Sequence, residues 1–344
     1  SVQPFLYAIL IVEVVVLVSI PILIQPGEKP GQGILKYLIY QTLAVPFMLF
    51  AGWVASGAEA NPADEQLVFQ TAMLLGIGFS FLLAVFPFSF WVPNLVNQTH
   101  PLLNGFILIT QPIIILLLGV NYLNTYAWLR DLNSLPVALV SVGGFMVVLG
   151  GFLAASQGDL RRIFAFLVIL ENGFGVMSLS LVNHVGVELL LLSFFPRLVS
   201  LGIFSLALAV LHENGISMKL SNLNGILLEY PFTGGAIILA MLSLAGMPVL
   251  AGFPIRQMLS DNLAISSIAY SVVLTVGRIG LLIGGLRIFG ILRGMKAGSW
   301  KVNESRSQVF LLILGIVILF VMGILPGILY SQMVQILQAF PNLG

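Results

Sequence analysis

The chain has 344 residues, 59% of them hydrophobic and only 8% charged, with a mean hydropathy of +1.08. A soluble protein of this size needs far more charge to cover its surface, so the composition predicts an all-α polytopic membrane protein without room for a sizeable soluble domain. The net charge of +1 gives no reason to expect nucleic acid, and the lack of cysteine excludes Cys-ligated iron–sulfur clusters, disulfides and thiol catalysis within this chain.

Hydrophobic runs of spanning length occur at 3–25, 34–57, 68–90, 102–121, 134–155, 162–182, 187–212, 232–254, 264–288 and 308–329, which predicts about ten transmembrane helices. The first run is too long, and has the wrong flanks, for a cleaved signal peptide. It carries Glu13 near its middle. The third and eighth runs are interrupted by Gly and Pro, in LLGIGFSFLLAVFPFSFWVP (74–93) and LSLAGMPVLAGFPIRQ (242–257). The breaking residues are Pro87 in the first, and Gly246, Pro248, Gly252 and Pro254 in the second. A proline opens the backbone ladder, and the freed polar groups must face protein or water. Matched interruptions five runs apart point to an inverted repeat, because an odd offset reverses the second unit in the membrane.

The sixth and seventh runs, 162–182 and 187–212, carry Glu171 and Arg197, each ~15 Å from the turn they share. That is close to the midplane of a hydrocarbon core about 30 Å thick. A charge there costs at least ~2.5–3.5 kcal/mol unless paired or hydrated. Glu171 and Arg197 are therefore expected to pair, either for function or as a neutralised structural pair. Arg278, mid-run in the ninth segment, is a third buried candidate. The tail after Pro326 is expected at the interface. His100, His184 and His212 are well separated and near helix ends, so no metal site is expected, and no cofactor motif is present.

Ten spans put Lys29, Lys36, Arg161, Arg162, Lys219, Arg293, Lys296, Lys301 and Arg306 on one side, and only Arg130 and Arg256 on the other. Basic loops stay inside, so both termini are expected on the outer, proton-receiving side.

Five motifs in order carry a family resemblance. AILIVEVVVLVSIPILI followed by GILKYLIYQ resembles the antiporter-like membrane subunits of complex I, where a mid-membrane Glu precedes a Lys-Tyr pair. FPFSFWVPNL is similar to that family's P-x-H-x-W-L-P-D segment, and QGDLRRIFAFLVILENGFGVMSL to its Q-x-D-x-K-R-x-x-A-Y-S-S-I helix. SLAGMPVLAGFPIRQ is similar to its G-x-P-P-x-x-G-F-x-x-K break. The Glu-Asn-x-Gly form resembles the related membrane-bound hydrogenase subunits, and the family also includes Mrp-type sodium/proton antiporters.

The resemblance is to the NADH:quinone oxidoreductase subunit 2/N type. It implies a fourteen-helix fold with two inverted five-helix repeats, which this chain joins at the fifth helix. One transmembrane domain would cover 1–344, with an incomplete first repeat (1–121), a second repeat (134–290) and a C-terminal helix and tail (308–344). Glu13 then matches the channel glutamate and Lys36 the lysine of the Lys-Tyr pair. Arg197 and Arg256 stand where the family has lysines. The family's lysine, histidine and acid around the first break are Leu82, Ser89 and Asn94 here.

Buried lysine can release a proton, but arginine cannot. Glu13, Lys36 and Glu171 are therefore the proton-transfer candidates, and Arg197, Arg256 and Arg278 are fixed charges that pair with acids or bind lipid headgroups. What the resemblance implies is an antiporter-like membrane-arm subunit of a redox-driven, proton-translocating complex, without an active site or cofactor of its own. Its partners would be other membrane subunits and lipids. It would sit in an energy-transducing membrane: bacterial plasma membrane, thylakoid or mitochondrial inner membrane. A structural subunit with a decayed channel and a secondary cation/proton transporter are the alternatives.

Overall fold

The computed structural model describes residues 4–24, 27, 29–61, 64–294, 301–327 and 340. Lys296 and most of the tail beyond Pro326 lie outside the described residues. The chain is helical, in the order α1 (Pro4–Leu23), α2 (Gln32–Ala60), α3 (Glu65–Leu82), α4 (Trp91–Gln98), α5 (Pro101–Thr125), α6 (Ala127–Arg130), α7 (Ser134–Ser156), α8 (Leu160–Leu179), α9 (His184–Glu213), α10 (Pro231–Ala245), α11 (Gly252–Ser266), α12 (Ile268–Arg293) and α13 (Arg306–Ile324). Eight of these are long and apolar enough to cross a membrane: α2, α3, α5, α7, α8, α9, α12 and α13. The apolar helices α1 and α10 supply the other two of the ten expected spans.

Local chemistry sets the helix ends. The Asp64 carboxylate accepts from the amides of Gln66 and Leu67 at the start of α3. Asp159 accepts from Arg161 at the start of α8, and Asn183 from Gly186 at the start of α9. Each satisfies an amide that has no partner within the first turn. Ser305 and Gln308 form a reciprocal capping box on α13. The start of α10 is capped from a distance. Glu304, buried in the segment before α13, accepts from the amides of Phe232 and Thr233 at 3.0 and 3.1 Å.

The core centres on α8, whose residues from Ile163 to Ser178 are nearly all buried. Helix α7 is wedged between α8 and α12 and meets both through glycine. A Cβ at Gly143 would lie 2.8 Å from the Gly173 carbonyl of α8, and one at Gly151 would lie 2.3 Å from the Gly277 carbonyl of α12. In hydrocarbon, helices gain little from apolar burial alone, and small residues let the backbones approach for dispersion contact. The outward faces of α1, α2, α12 and α13 carry exposed Leu, Ile, Val and aromatic side chains, as lipid-facing or partner-facing helices do.

Both expected interruptions are real. The third run is split into α3 and α4, with a 3-10 turn at Phe88–Phe90 between them. The eighth is split into α10 and α11.

Candidate functional site

Each break exposes backbone groups inside the bundle, and polar side chains from other helices come to meet them. At the first break α3 stops at Leu82. Gln41 of α2 donates to the Leu82 carbonyl at 3.5 Å, and Asn172 of α8 donates to the Leu83 carbonyl at 2.8 Å. At the second break Gly246 adopts φ +75°, a left-handed conformation that ends α10. Arg278 of α12 donates to the freed carbonyls of Ala245 and Gly246 at 3.0 and 3.1 Å. Its cation thus sits against the negative end of the α10 dipole. Arg278 is neither lipid-facing nor unpaired. It is the C-terminal cap of a half-helix that ends inside the bundle.

Between the breaks runs a line of polar groups. The Tyr37 hydroxyl lies 3.2 Å from that of Ser19 and donates to Gln111 Oε1 at 3.0 Å. Gln111 Nε2 donates to Gln41 Oε1 at 2.8 Å, and Gln41 reaches the first break. Beyond it, Asn172 accepts from Arg197 Nη2 at 2.6 Å. Next to Asn172 on α8, Glu171 forms an ion pair with Arg256 of α11. The Arg256 guanidinium also lies 4.5 Å from the centre of the Phe174 ring. Arg256 and Arg278 both abut Gly246, where a Cβ would sit 3.1 Å from Arg256 Cδ and 2.8 Å from Arg278 Nη2. The line therefore crosses α1, α2, α5, α8, α9, α11 and α12 and touches both breaks. Most of its members lie in the interior of their helices, so it runs across the bundle rather than along it.

The expected pairing of Glu171 with Arg197 is corrected: the acid takes Arg256. Successive helical residues point about 100° apart, so Glu171 and Asn172 face different neighbours. Asn172 faces α9 and receives Arg197, while Glu171 faces the first turns of α11. Arg197 also donates to the Leu108 carbonyl at 3.4 Å and lies within electrostatic reach of Glu171. Arg256, placed by its position in the sequence in an outer loop, is instead buried at 5% exposure. It drops out of the charge tally of the loops.

Glu13 is half-buried on α1 and accepts from Thr42 Oγ1 of α2 at 2.9 Å. Its second oxygen is buried with no partner among the described residues. It stands within electrostatic reach of Tyr37 but is not hydrogen-bonded into the line. Lys36 is exposed on the outer face of α2 while its neighbour Tyr37 is buried, so the structure brings the tyrosine of the Lys-Tyr pair to the line and not the lysine. Leu82 is buried at the break, and Ser89 is buried beyond it. Gln41, Gln111 and Ser19 did not stand out in the sequence. Their one signal was an amide or hydroxyl inside an apolar run, which many membrane helices carry without consequence.

His100 and His212, far apart in sequence, come together with ring centroids 5.2 Å apart, and Arg161 Nη2 lies 3.3 Å from His212 Nδ1. The Arg161 guanidinium beside His212 Nδ1 is a positive charge next to the histidine pair, which disfavours a bound cation there. Among the described residues no group of three or more His, Asp or Glu could hold a metal ion.

Ten apolar segments, two of them broken five apart and bridged by a buried polar line, define a polytopic membrane protein of the broken-helix antiporter type. The family model described as NADH:quinone oxidoreductase/Mrp antiporter, transmembrane, matches residues 5–281, and the chain belongs to that family. NADH-quinone oxidoreductase subunit 14 of Thermus thermophilus is 29% identical over 244 residues, covering 68% of this chain and 53% of its own length. NADH-ubiquinone oxidoreductase chain 2 of Struthio camelus is 28% identical over 82% of this chain and 76% of its own. The chain spans about half the length of the first curated relatives it matches. Among solved structures, a chain of the Mrp complex from a Dietzia species superposes with a TM-score of 0.83 at 16% identity, covering 94% of this chain and 71% of that one. A chain of respiratory complex I from Thermus thermophilus gives 0.78 at 21% identity, covering 94% and 74%. At these identities the likeness shows the fold.

Proposed function

We propose that this chain is an antiporter-like membrane-arm subunit of a redox-driven, proton-translocating complex in an energy-transducing membrane, where it is assembled with other membrane subunits. The observation that carries this reading is the polar line that joins both helix breaks through Glu171 and Arg256. A free-standing structural helix bundle has no use for a charge at this depth, which is tolerated only at a cost. The curated relatives in this family are named as subunits of NADH:quinone oxidoreductases.

The chemistry of the line limits what it does. Amides, a tyrosine hydroxyl and guanidinium groups exchange hydrogen bonds but do not lose protons near neutral pH. The line acts as an electrostatic frame: making or breaking the Glu171–Arg256 pair changes the field along it. This reading assigns proton transfer to Glu13, and what supports it is a carboxylate with one oxygen accepting from Thr42 and the other buried without a partner among the described residues. Glu13→Gln keeps shape and hydrogen bonding but cannot ionise. In the complex reconstituted into vesicles, Glu13→Gln is expected to lower the number of protons pumped per electron while assembly stays normal. An unchanged ratio selects the second reading, a structural subunit with a decayed channel. That reading is favoured by Leu82, an apolar side chain buried at the break.

The basic loops are expected on the inner side and both termini outside. The chain has no cysteine, so one introduced cysteine reports sidedness. Ser217→Cys should react with an impermeant maleimide only from inside, and Asn133→Cys only from outside. The opposite pattern reverses the orientation.

A further inference from the structure

We propose that Arg161, His100 and His212 form a pH-sensitive clasp, which holds one end of the bundle together while both imidazoles are neutral and releases it when they take up protons. The clasp joins the end of α4, the start of α5, the start of α8 and the end of α9. Arg161, in the first turn of α8, is its centre. Its Nη1 donates to the Asn97 carbonyl at 3.1 Å, in the last turn of α4, and its Nε to Met218 Sδ at 3.0 Å. Carbonyls of a last turn have no partner within their own helix, so the guanidinium caps α4. Its Nη2 lies 3.3 Å from His212 Nδ1, in the last turn of α9.

A guanidinium only donates, so His212 Nδ1 accepts and carries no proton. The same holds for His100, the N-cap of α5, whose Nδ1 accepts from the Leu102 amide at 3.3 Å. Both rings spend Nδ1 as an acceptor, and an imidazolium has no acceptor to spend. Protonation of His212 sets two cations in contact, so Arg161 swings away and gives up the Asn97 carbonyl. Protonation of His100 uncaps α5 and puts a charge at the positive end of its dipole. The ring centroids are 5.2 Å apart, so a charge on one ring is felt by the other. The charged groups in reach of His212 are Arg161 from α8, His100 from the start of α5, and Glu213 beside it on α9. Glu213 in turn accepts from Gln308 of α13. Asp159 is spent on the Arg161 amide, and Lys219 meets Asp159 in a backbone bridge. Helix α4 follows the first break and packs on α8, which carries Glu171 and Asn172, so release of the clasp loosens α8 against the break it serves.

The test is hydrogen–deuterium exchange of the protein purified in mild detergent with its partner subunits, read by mass spectrometry. The pH runs from about 8 to about 5, which brackets an ordinary histidine, and each rate is divided by that of the unfolded peptide at the same pH. Peptides covering 97–104 and 159–166 are expected to lose protection on acidification by about fivefold, the factor that one lost N-cap corresponds to. A peptide covering 305–312, where Ser305 caps α13, should keep its protection. Asparagine offers an acceptor oxygen at every pH, so His100→Asn with His212→Asn should hold both peptides protected throughout. Arg161→Met should leave 159–166 poorly protected at every pH; if it does not assemble, the asparagine variant still decides. No acid step in the wild type, a step of equal size in 305–312, or a step that persists in the asparagine variant would overturn the proposal. The readout is independent of proton pumping.

Discussion

Glu171 and Arg256 are nearly free of solvent, and each is the other's counter-charge. Removing one leaves an uncompensated buried ion, which costs ~3–5 kcal/mol, while replacing both with apolar residues of similar volume is often neutral. Glu171→Leu and Arg256→Met are each expected to impair assembly strongly, and the double variant to recover much of it. Melting temperatures of the detergent-solubilised complex would measure this. The cycle should give a coupling near the upper end of the ~0.5–3 kcal/mol range. The matching cycle for Glu171 and Arg197 should give a smaller one, because Arg197 spends its hydrogen bonds on Asn172 and the Leu108 carbonyl. A larger coupling for Arg197 would contradict the pairing. The charges themselves, and their depth, were legible in the sequence. Which acid meets which arginine was not, because two cations stand near one carboxylate and helix rotation decides between them.

At the scale of the element, the second break depends on two glycines for different reasons. Gly246 needs its left-handed backbone, so Gly246→Ala should cost about 1–3 kcal/mol in strain, before its contact with Arg278 is counted. Gly252 needs space: a Cβ there would lie 2.0 Å from the Ser243 carbonyl and 2.6 Å from Arg256 Nη1. Gly252→Ala is therefore expected to displace Arg256 as well as destabilise α11, and to mimic Arg256→Met in assembly. Wild-type assembly and melting in Gly252→Ala would contradict that packing. The cap supplied to α10 by Glu304 is of another kind, since it ties the segment before α13 to a half-helix. Glu304→Ala should cost about 0.5–2 kcal/mol, the range for losing an N-cap. It should also speed trypsin cleavage at Lys301, whose amide is held by the Leu228 carbonyl. The breaks were visible as Gly-Pro interruptions, and their flanking helices followed. The Glu304 cap was not visible, because its partners lie about seventy residues away.

At the scale of the whole molecule, the apolar outward faces of α12 and α13 are broad enough to meet either lipid or a neighbouring subunit. Purification in mild detergent is expected to bring other membrane subunits with this chain. A monodisperse single chain that transports ions alone in liposomes would contradict membership in a complex. The sequence by itself determined the all-helical membrane class, the ten apolar segments and the positions of both breaks, because hydrophobic length and backbone-breaking residues are local properties. It also determined that Glu13, Glu171, Arg197 and Arg278 lie inside those segments. Only the tertiary structure decided that Glu171 pairs with Arg256, that Lys36 faces outward while Tyr37 joins the line, and that Gln41, Gln111 and Asn172 bridge the breaks. It alone brought His100 to His212. Those outcomes depend on how each helix is rotated and which helix lies beside it. Packing between segments far apart in the chain fixes both: glycine contacts on α7, and polar groups that must find partners where there is no water.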